Sequence, residues 1–179
     1  GCKNLLSVDI PVGLKEIGRY AFSACDALSG VVLGSNLEMI ADGAFMRCMG
    51  MKKADMSTVS AECSLGSMIF ADCVSLESVK LGENVRYLPI RAFAGCSLLA
   101  KIEFAEISAL DSIGEEAFAS TALSSFDFDR CVNLKKIEDW AFADTKINDI
   151  NLSEGVSKVG EGAFFANESV TRVSMPSTL

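Results

Sequence analysis

Apolar positions return along this chain in a fixed order every 22 to 25 residues. Each cycle opens with an apolar trio, such as Leu28, Val31, Leu33 or Leu76, Val79, Leu81. The last two members alternate with polar or small residues, the period of a strand buried on one face. Strands are therefore expected near 8–10, 31–33, 54–56, 79–81, 102–104, 126–128, 150–152 and 173–175. An apolar pair follows (Leu14 and Ile17, Leu37 and Ile40, Leu134 and Ile137). The cycle closes on a phenylalanine preceded by a small residue, with Ile69 the exception. These phenylalanines are Phe22, Phe45, Phe70, Phe93, Phe118, Phe142 and Phe164.

One such cycle has too few residues to enclose its own apolar face, so copies must stack to bury a continuous core. The expected fold is a repeat solenoid: a single domain over 1–179 of about seven repeats. It should carry a parallel sheet on one face, and short turns or 3-10 segments on the other. Too few residues separate the apolar pair from the next turn for a long helix. The stretch from strand to phenylalanine has a short form (Ile10 to Phe22) and a long form (Met56 to Phe70, Phe104 to Phe118, Phe128 to Phe142). The long forms add one apolar residue three after the strand, at Val59, Ile107 and Cys131, expected in the core. All the extra length then falls on one rim.

The register around the phenylalanines reads IGRYAFSAC (17–25), LPIRAFAGC (88–96), IGEEAFAST (113–121) and VGEGAFFAN (159–167). It resembles the BspA-like leucine-rich repeats, also called the Treponema pallidum type, over essentially the whole chain. The resemblance implies a right-handed leucine-rich-repeat superhelix. It also implies a non-enzymatic role in adhesion or protein binding, at the cell surface or in a secreted protein, with no catalytic motif and no cofactor. The implied partner is a protein, an extracellular-matrix or host surface protein among the possibilities. A fold transfers by resemblance better than a ligand does.

Composition narrows the chemistry. Half of the 179 residues are hydrophobic, enough for a substantial core, and no apolar run approaches a membrane span. The formal net charge of −8, without a basic run, argues against nucleic acid and anionic membrane surfaces. Histidine is absent, which removes the usual general base, the Ser-His and Cys-His pairs and most zinc sites. No metal site is expected. The chain starts within a repeat at Gly1 and stops just past a strand at Leu179, as a segment of a longer protein would. Truncated ends of a solenoid expose apolar cross-sections, so end-to-end self-association is expected.

Cys25, Cys48, Cys73 and Cys96 each lie three residues after a phenylalanine, where later repeats place Thr121, Thr145 and Asn167. Cys, Thr and Asn share modest size and hydrogen-bonding ability, so this column should satisfy buried backbone groups at a turn. Stacked thiols one strand spacing apart, roughly 4.8 Å, are too far apart for a disulfide. Cys63, in the least regular repeat, is the expected exposed thiol.

Residues beside the buried strand positions should face outward on a concave sheet. They are mostly small or charged, with both signs interleaved. Glu103, Asp127, Asp129 and Asp149 fall on neighbouring strands in this register and are candidates to receive a basic partner or a weakly held calcium ion. Trp140, the only tryptophan, sits where other repeats carry Tyr20, Gly43, Met68, Arg91, Glu116 and Gly162. It is a candidate partner-binding anchor or a ring packed over its neighbour. The leading reading is a non-enzymatic binding or adhesion module. The alternatives are an intracellular scaffold of the same fold and a hydrolase using surface carboxylates.

Overall fold

The computed structural model describes residues 1–179, and almost all of its regular structure is short parallel strand. In chain order the strands are β1 Glu16–Ile17, β2 Gly30–Val32, β3 Met39–Ile40, β4 Lys53–Met56, β5 Ser64–Leu65, β6 Ser78–Leu81 and β7 Tyr87–Leu88. They continue with β8 Lys101–Phe104, β9 Ser112–Ile113, β10 Lys136–Ile137, β11 Asp149–Asn151, β12 Lys158–Val159 and β13 Arg172–Ser174. The main sheet runs β2-β4-β6-β8, and β11-β13 pair separately. No helix is long and apolar enough to cross a membrane.

The phenylalanines form an unbroken column. All six consecutive pairs, from Phe22–Phe45 to Phe142–Phe164, stack with centroids 5.2–5.6 Å apart and rings within 19° of parallel. Burying each ring contributes roughly 1.5–3 kcal/mol. One cluster of 45 buried residues runs through the solenoid, so no repeat owns a separate core.

Backbone bonds along the stack hold the phenylalanine side in register. The amides of Tyr20, Phe22 and Ala24 donate to the carbonyls of Asp42, Ala44 and Met46 at 3.0, 2.8 and 2.8 Å, and the pattern recurs in later turns. To aim alternate amides along the stack, the chain adopts positive φ two residues before and two after each phenylalanine, as at Tyr20 (55°) and Ala24 (53°). A side chain in that conformation costs about 1 kcal/mol or more. The three bonds, each contributing about 0.5–1.5 kcal/mol, offset it.

Five expectations need correction. The turn side is not turns alone, because the apolar pair ends in a second ladder of two-residue strands. That ladder comes in two pieces, β1-β3-β5 and β7-β9-β10-β12. Residues 126–128 are not a strand. Asp127 caps a 3-10 turn, Phe128–Arg130, accepting the Arg130 amide at 3.3 Å. Phenylalanines at both inward positions, Phe126 and Phe128, replace the Val79 and Leu81 of β6. Their rings pack edge-on against Phe104 and Phe142, so the main sheet parts between β8 and β11. Residues 8–10 keep Val8 and Ile10 half-buried but do not pair as a strand with β2.

The last two corrections concern single side chains. Ile107 is 62% exposed and Ser108 is buried in its place. The Ser108 hydroxyl accepts the Leu110 amide at 3.2 Å, which holds it inside and turns its neighbour out. Cys63 is buried rather than exposed. In that repeat Glu62 occupies the usual apolar register and faces solvent, while Cys63 fills the core. Cys2 is the exposed thiol.

Candidate binding surface

The cysteine column does what its substitutions suggest. The thiols of Cys48, Cys73 and Cys96 donate to the carbonyls of Phe22, Phe45 and Phe70, one repeat back, at 3.0, 3.2 and 3.1 Å. Asn167 donates likewise to Phe142 at 2.7 Å, whereas Thr121 turns to its own Phe118 at 2.9 Å. All seven cysteines are free. The Cys48 sulfur beside it and then burial push Cys73 well above the usual thiol range. Burial, with a smaller push from the nearby Asp72 and Asp127 carboxylates, lifts Cys96 and Cys131 to about 12. These thiols are protonated structural groups and not nucleophiles.

Strand pairing settles the outward columns of the main sheet. One reads Gly30, Lys53, Ser78, Lys101, and the next Val32, Asp55, Lys80, Glu103. Backbone pairing and the core beneath hold these positions in place. Over β2, β4 and β6 they enclose an open depression of about 750 Å³, whose rim reaches Glu103.

Charges here are partly matched. Lys101 pairs with Glu103 at 2.8 Å and Lys80 with Asp55 at 3.5 Å. The Lys101 bond, outweighing slight burial and helped by Lys80 and Lys53, holds Glu103 below the usual carboxylate range. Partial burial pushes Asp55 up, but the Ser57 bonds and Lys80 outweigh it and leave it below. Carboxylates shifted in this direction stay ionised at neutral pH and are poorly suited to act as general acids. No group of His, Cys, Asp or Glu side chains is arranged to hold a metal ion.

The sequence-selected residues are not one cluster. Glu103 lies on β8 among lysines. Asp127 is paired with Arg130 at 2.9 Å, and that guanidinium also reaches the carbonyls of Ala105 and Glu106 at 3.3 Å each. Asp129 accepts from Asn151 at 3.0 Å. Asp149 sits on β11 in register with Arg172 but makes no ion pair. Trp140 lies in the phenylalanine turn, away from the sheet columns. It is half-buried over Gly162 and edge-on to Phe165 at 5.3 Å. Sequence reading placed interleaved charges of both signs on the outward columns but did not single out Lys53 or Lys80, because alternating signs along a strand look self-neutralising. Only the pairing distances reveal which lysine lacks a mate.

A family model described as a BspA-type leucine-rich repeat region, in six copies, matches residues 1–108 and 63–179. The structure is similar to a leucine-rich repeat protein from Bacteroides ovatus (TM-score 0.82, 22% identity, covering 96% of this chain and 43% of that one). It is similar to one from Eubacterium ventriosum (0.74, 22%, 98% and 46%). It is also similar to the T. pallidum leucine-rich repeat protein (0.56, 28%, 67% and 54%). The chain thus spans about half the length of these solved structures. No curated protein matches it. With the repeat matched from the first residue to the last, and the stacked phenylalanines that define its register in place, the chain belongs to the BspA-type leucine-rich repeat family.

Proposed function

We propose that this solenoid is a non-enzymatic protein-binding module of a cell-surface leucine-rich-repeat protein, with the outward face of the main sheet as its working surface. One observation carries the reading: a rigid, register-locked sheet presents small and charged side chains around a depression of about 750 Å³. Such a surface is fixed before the partner arrives, so little ordering cost falls on binding. The family resemblance supports the surface location and a protein partner, with extracellular-matrix proteins the first to examine.

Glu103, Asp127, Asp129 and Asp149 are the proposed contacts for basic groups of that partner. Asp129 and Asp149 are the more available, because Glu103 and Asp127 already hold cations. Trp140 is a separate proposed anchor on the turn side. The test is surface plasmon resonance over immobilised matrix proteins with wild type, the Asp129→Lys/Asp149→Lys double variant and Trp140→Ala. Binding by wild type that falls at least tenfold in the double variant, with unchanged unfolding, is the expected result. An equal affinity in the folded double variant would remove the acidic contacts. No binding by wild type would remove the adhesion reading for this segment.

A further inference from the structure

The depression on the main sheet is lined by three lysines, Lys52, Lys53 and Lys80, and three carboxylates, Asp9, Asp55 and Glu103, but these charges are not all paired with one another. Lys52 and Lys53 both line it, both are exposed, and neither makes an ion pair. Lys80 lines it too but is committed to Asp55. Of the acids, Asp55 and Glu103 are matched by Lys80 and Lys101, which leaves Asp9 at the far edge as the one unmatched carboxylate. Because Glu103 is held by Lys101 from outside the lining, two lysines stand unpaired here against one unpaired acid, in a chain that carries −8 as a whole.

Lys53 is the better placed of the two. Its neighbours across the sheet are Gly30 and Ser78, so its ammonium has no bulky side chain on either flank. Two residues along the next strand, Val32 is 63% exposed on the same face, in register with Asp55. An exposed valine beside an unmatched lysine offers one apolar and one cationic contact within a single depression.

We propose that this depression takes an acidic stretch of the partner protein. One carboxylate of that stretch sits on Lys53 and a neighbouring apolar side chain sits on Val32. The proposal rests on the sheet-face reading above and gives it a chemistry. Charge complementarity selects the anion. The interleaved Asp55 and Glu103 select a protein segment over an anionic polysaccharide, because a chain with a charge on every residue would meet both acids as well as the lysines. The acidic-leaning end near Asp149 lies about four strand spacings from Lys53, roughly 19 Å. That is about six residues of extended chain. The partner segment accordingly carries its acid and its basic group about six residues apart, which fixes the direction in which it lies across the sheet.

The experiment pans a displayed library of random 12-residue peptides against wild-type protein, then measures the enriched peptides on variants. Enriched peptides should share an Asp or Glu beside an apolar residue. Their affinity should fall at least tenfold in Lys53→Glu, recover in Lys53→Arg, and weaken several-fold between 50 and 500 mM salt, as exposed pairs do. Peptides lacking an acid, or affinity indifferent to Lys53→Glu, would overturn the proposal. If such peptides were still lost in Asp129→Lys/Asp149→Lys, the sheet-face reading would survive without it. Heparin bound more tightly than any peptide, and released by Lys53→Glu, would replace the protein segment with a polysaccharide. A library that enriches nothing would count against both readings.

Discussion

The Tyr87 hydroxyl bonds both backbone groups of Leu65, accepting from the amide at 2.7 Å and donating to the carbonyl at 3.1 Å. The second ladder breaks between β5 and β7, the strands that carry these two residues. A side chain therefore takes over the bonds that a neighbouring strand makes everywhere else in that ladder. Other repeats place Glu16, Met39, Ser64, Ser112, Lys136 and Lys158 in the Tyr87 column, and none of them bonds the preceding strand's backbone in this two-way manner.

Tyr87→Phe keeps the ring and removes both bonds. Leaving partly buried backbone groups unpaired costs about 1–3 kcal/mol, and urea unfolding should register a loss of that size. Amide exchange at Leu65 should accelerate, while exchange at Phe93, in the phenylalanine column, should not. A neutral substitution would mean that water replaces the hydroxyl freely and that the seam bears no load.

The phenylalanine column should be most sensitive at its centre. Phe93 is fully buried between Phe70 and Phe118, whereas Phe22 is half-buried and has a ring on one side only. Phe93→Ala should cost about 3–5 kcal/mol, since a cavity adds to the lost transfer energy. Phe22→Ala should cost roughly 1–2 kcal/mol for its partial burial. Because repeats are coupled only through neighbours, the central variant should also broaden the unfolding transition. Equal costs at the two positions would argue against a load-sharing stack.

Much of this architecture was readable from residues, and the failures have local causes. The strict return of phenylalanine and the alternation at Val31, Val79 and Ile150 specify a stack and a sheet, because both are periodic. The two-residue strands were invisible because a pair such as Glu16–Ile17 shows no alternation. The missing strand at 126–128 turned on one side chain. Asp127 offers its carboxylate to a nearby amide, and local capping of this kind competes with a ladder. At the binding face the columns were legible but the ion pairing was not. Which of Lys53, Lys80 and Lys101 stays free depends on distances that only packing decides.

Alkaline pH should destabilise the fold through the buried thiols. Burial raises Cys96 and Cys131 to about 12 in the folded protein. The unfolded chain ionises near 8.5. Their contribution is therefore fully present below about pH 8.5 and is lost as pH rises toward 12, because the unfolded state sheds protons that the folded state retains. By pH 10.5 each thiol should account for roughly 2–3 kcal/mol of lost stability. Cys96→Thr copies Thr121 and Cys131→Val copies Val59, so both should fold and both should flatten the decline in denaturant titrations between pH 8 and 10.5. A slope unchanged in the double variant would assign the alkaline loss to other groups.

Trp140 and Gly162 make the most specific packing prediction. Gly162 has a φ of 56°, and a Cβ added there would stand 2.7 Å from the indole of Trp140. The same arrangement recurs near the other end, where the ring of Tyr20 lies over Gly43 at a φ of 60°. An aromatic residue two before its phenylalanine thus goes with glycine at the same place in the following repeat. Gly162→Ala should cost about 2–3 kcal/mol, of which about 1 kcal/mol is left-handed strain and the rest collision with the indole. In a Trp140→Ala background only the strain remains, so the same substitution should cost about 1 kcal/mol. The double-mutant cycle should then report a coupling of about 1–2 kcal/mol. Additive costs would mean that the indole moves aside freely and that the stack does not hold Trp140 in place.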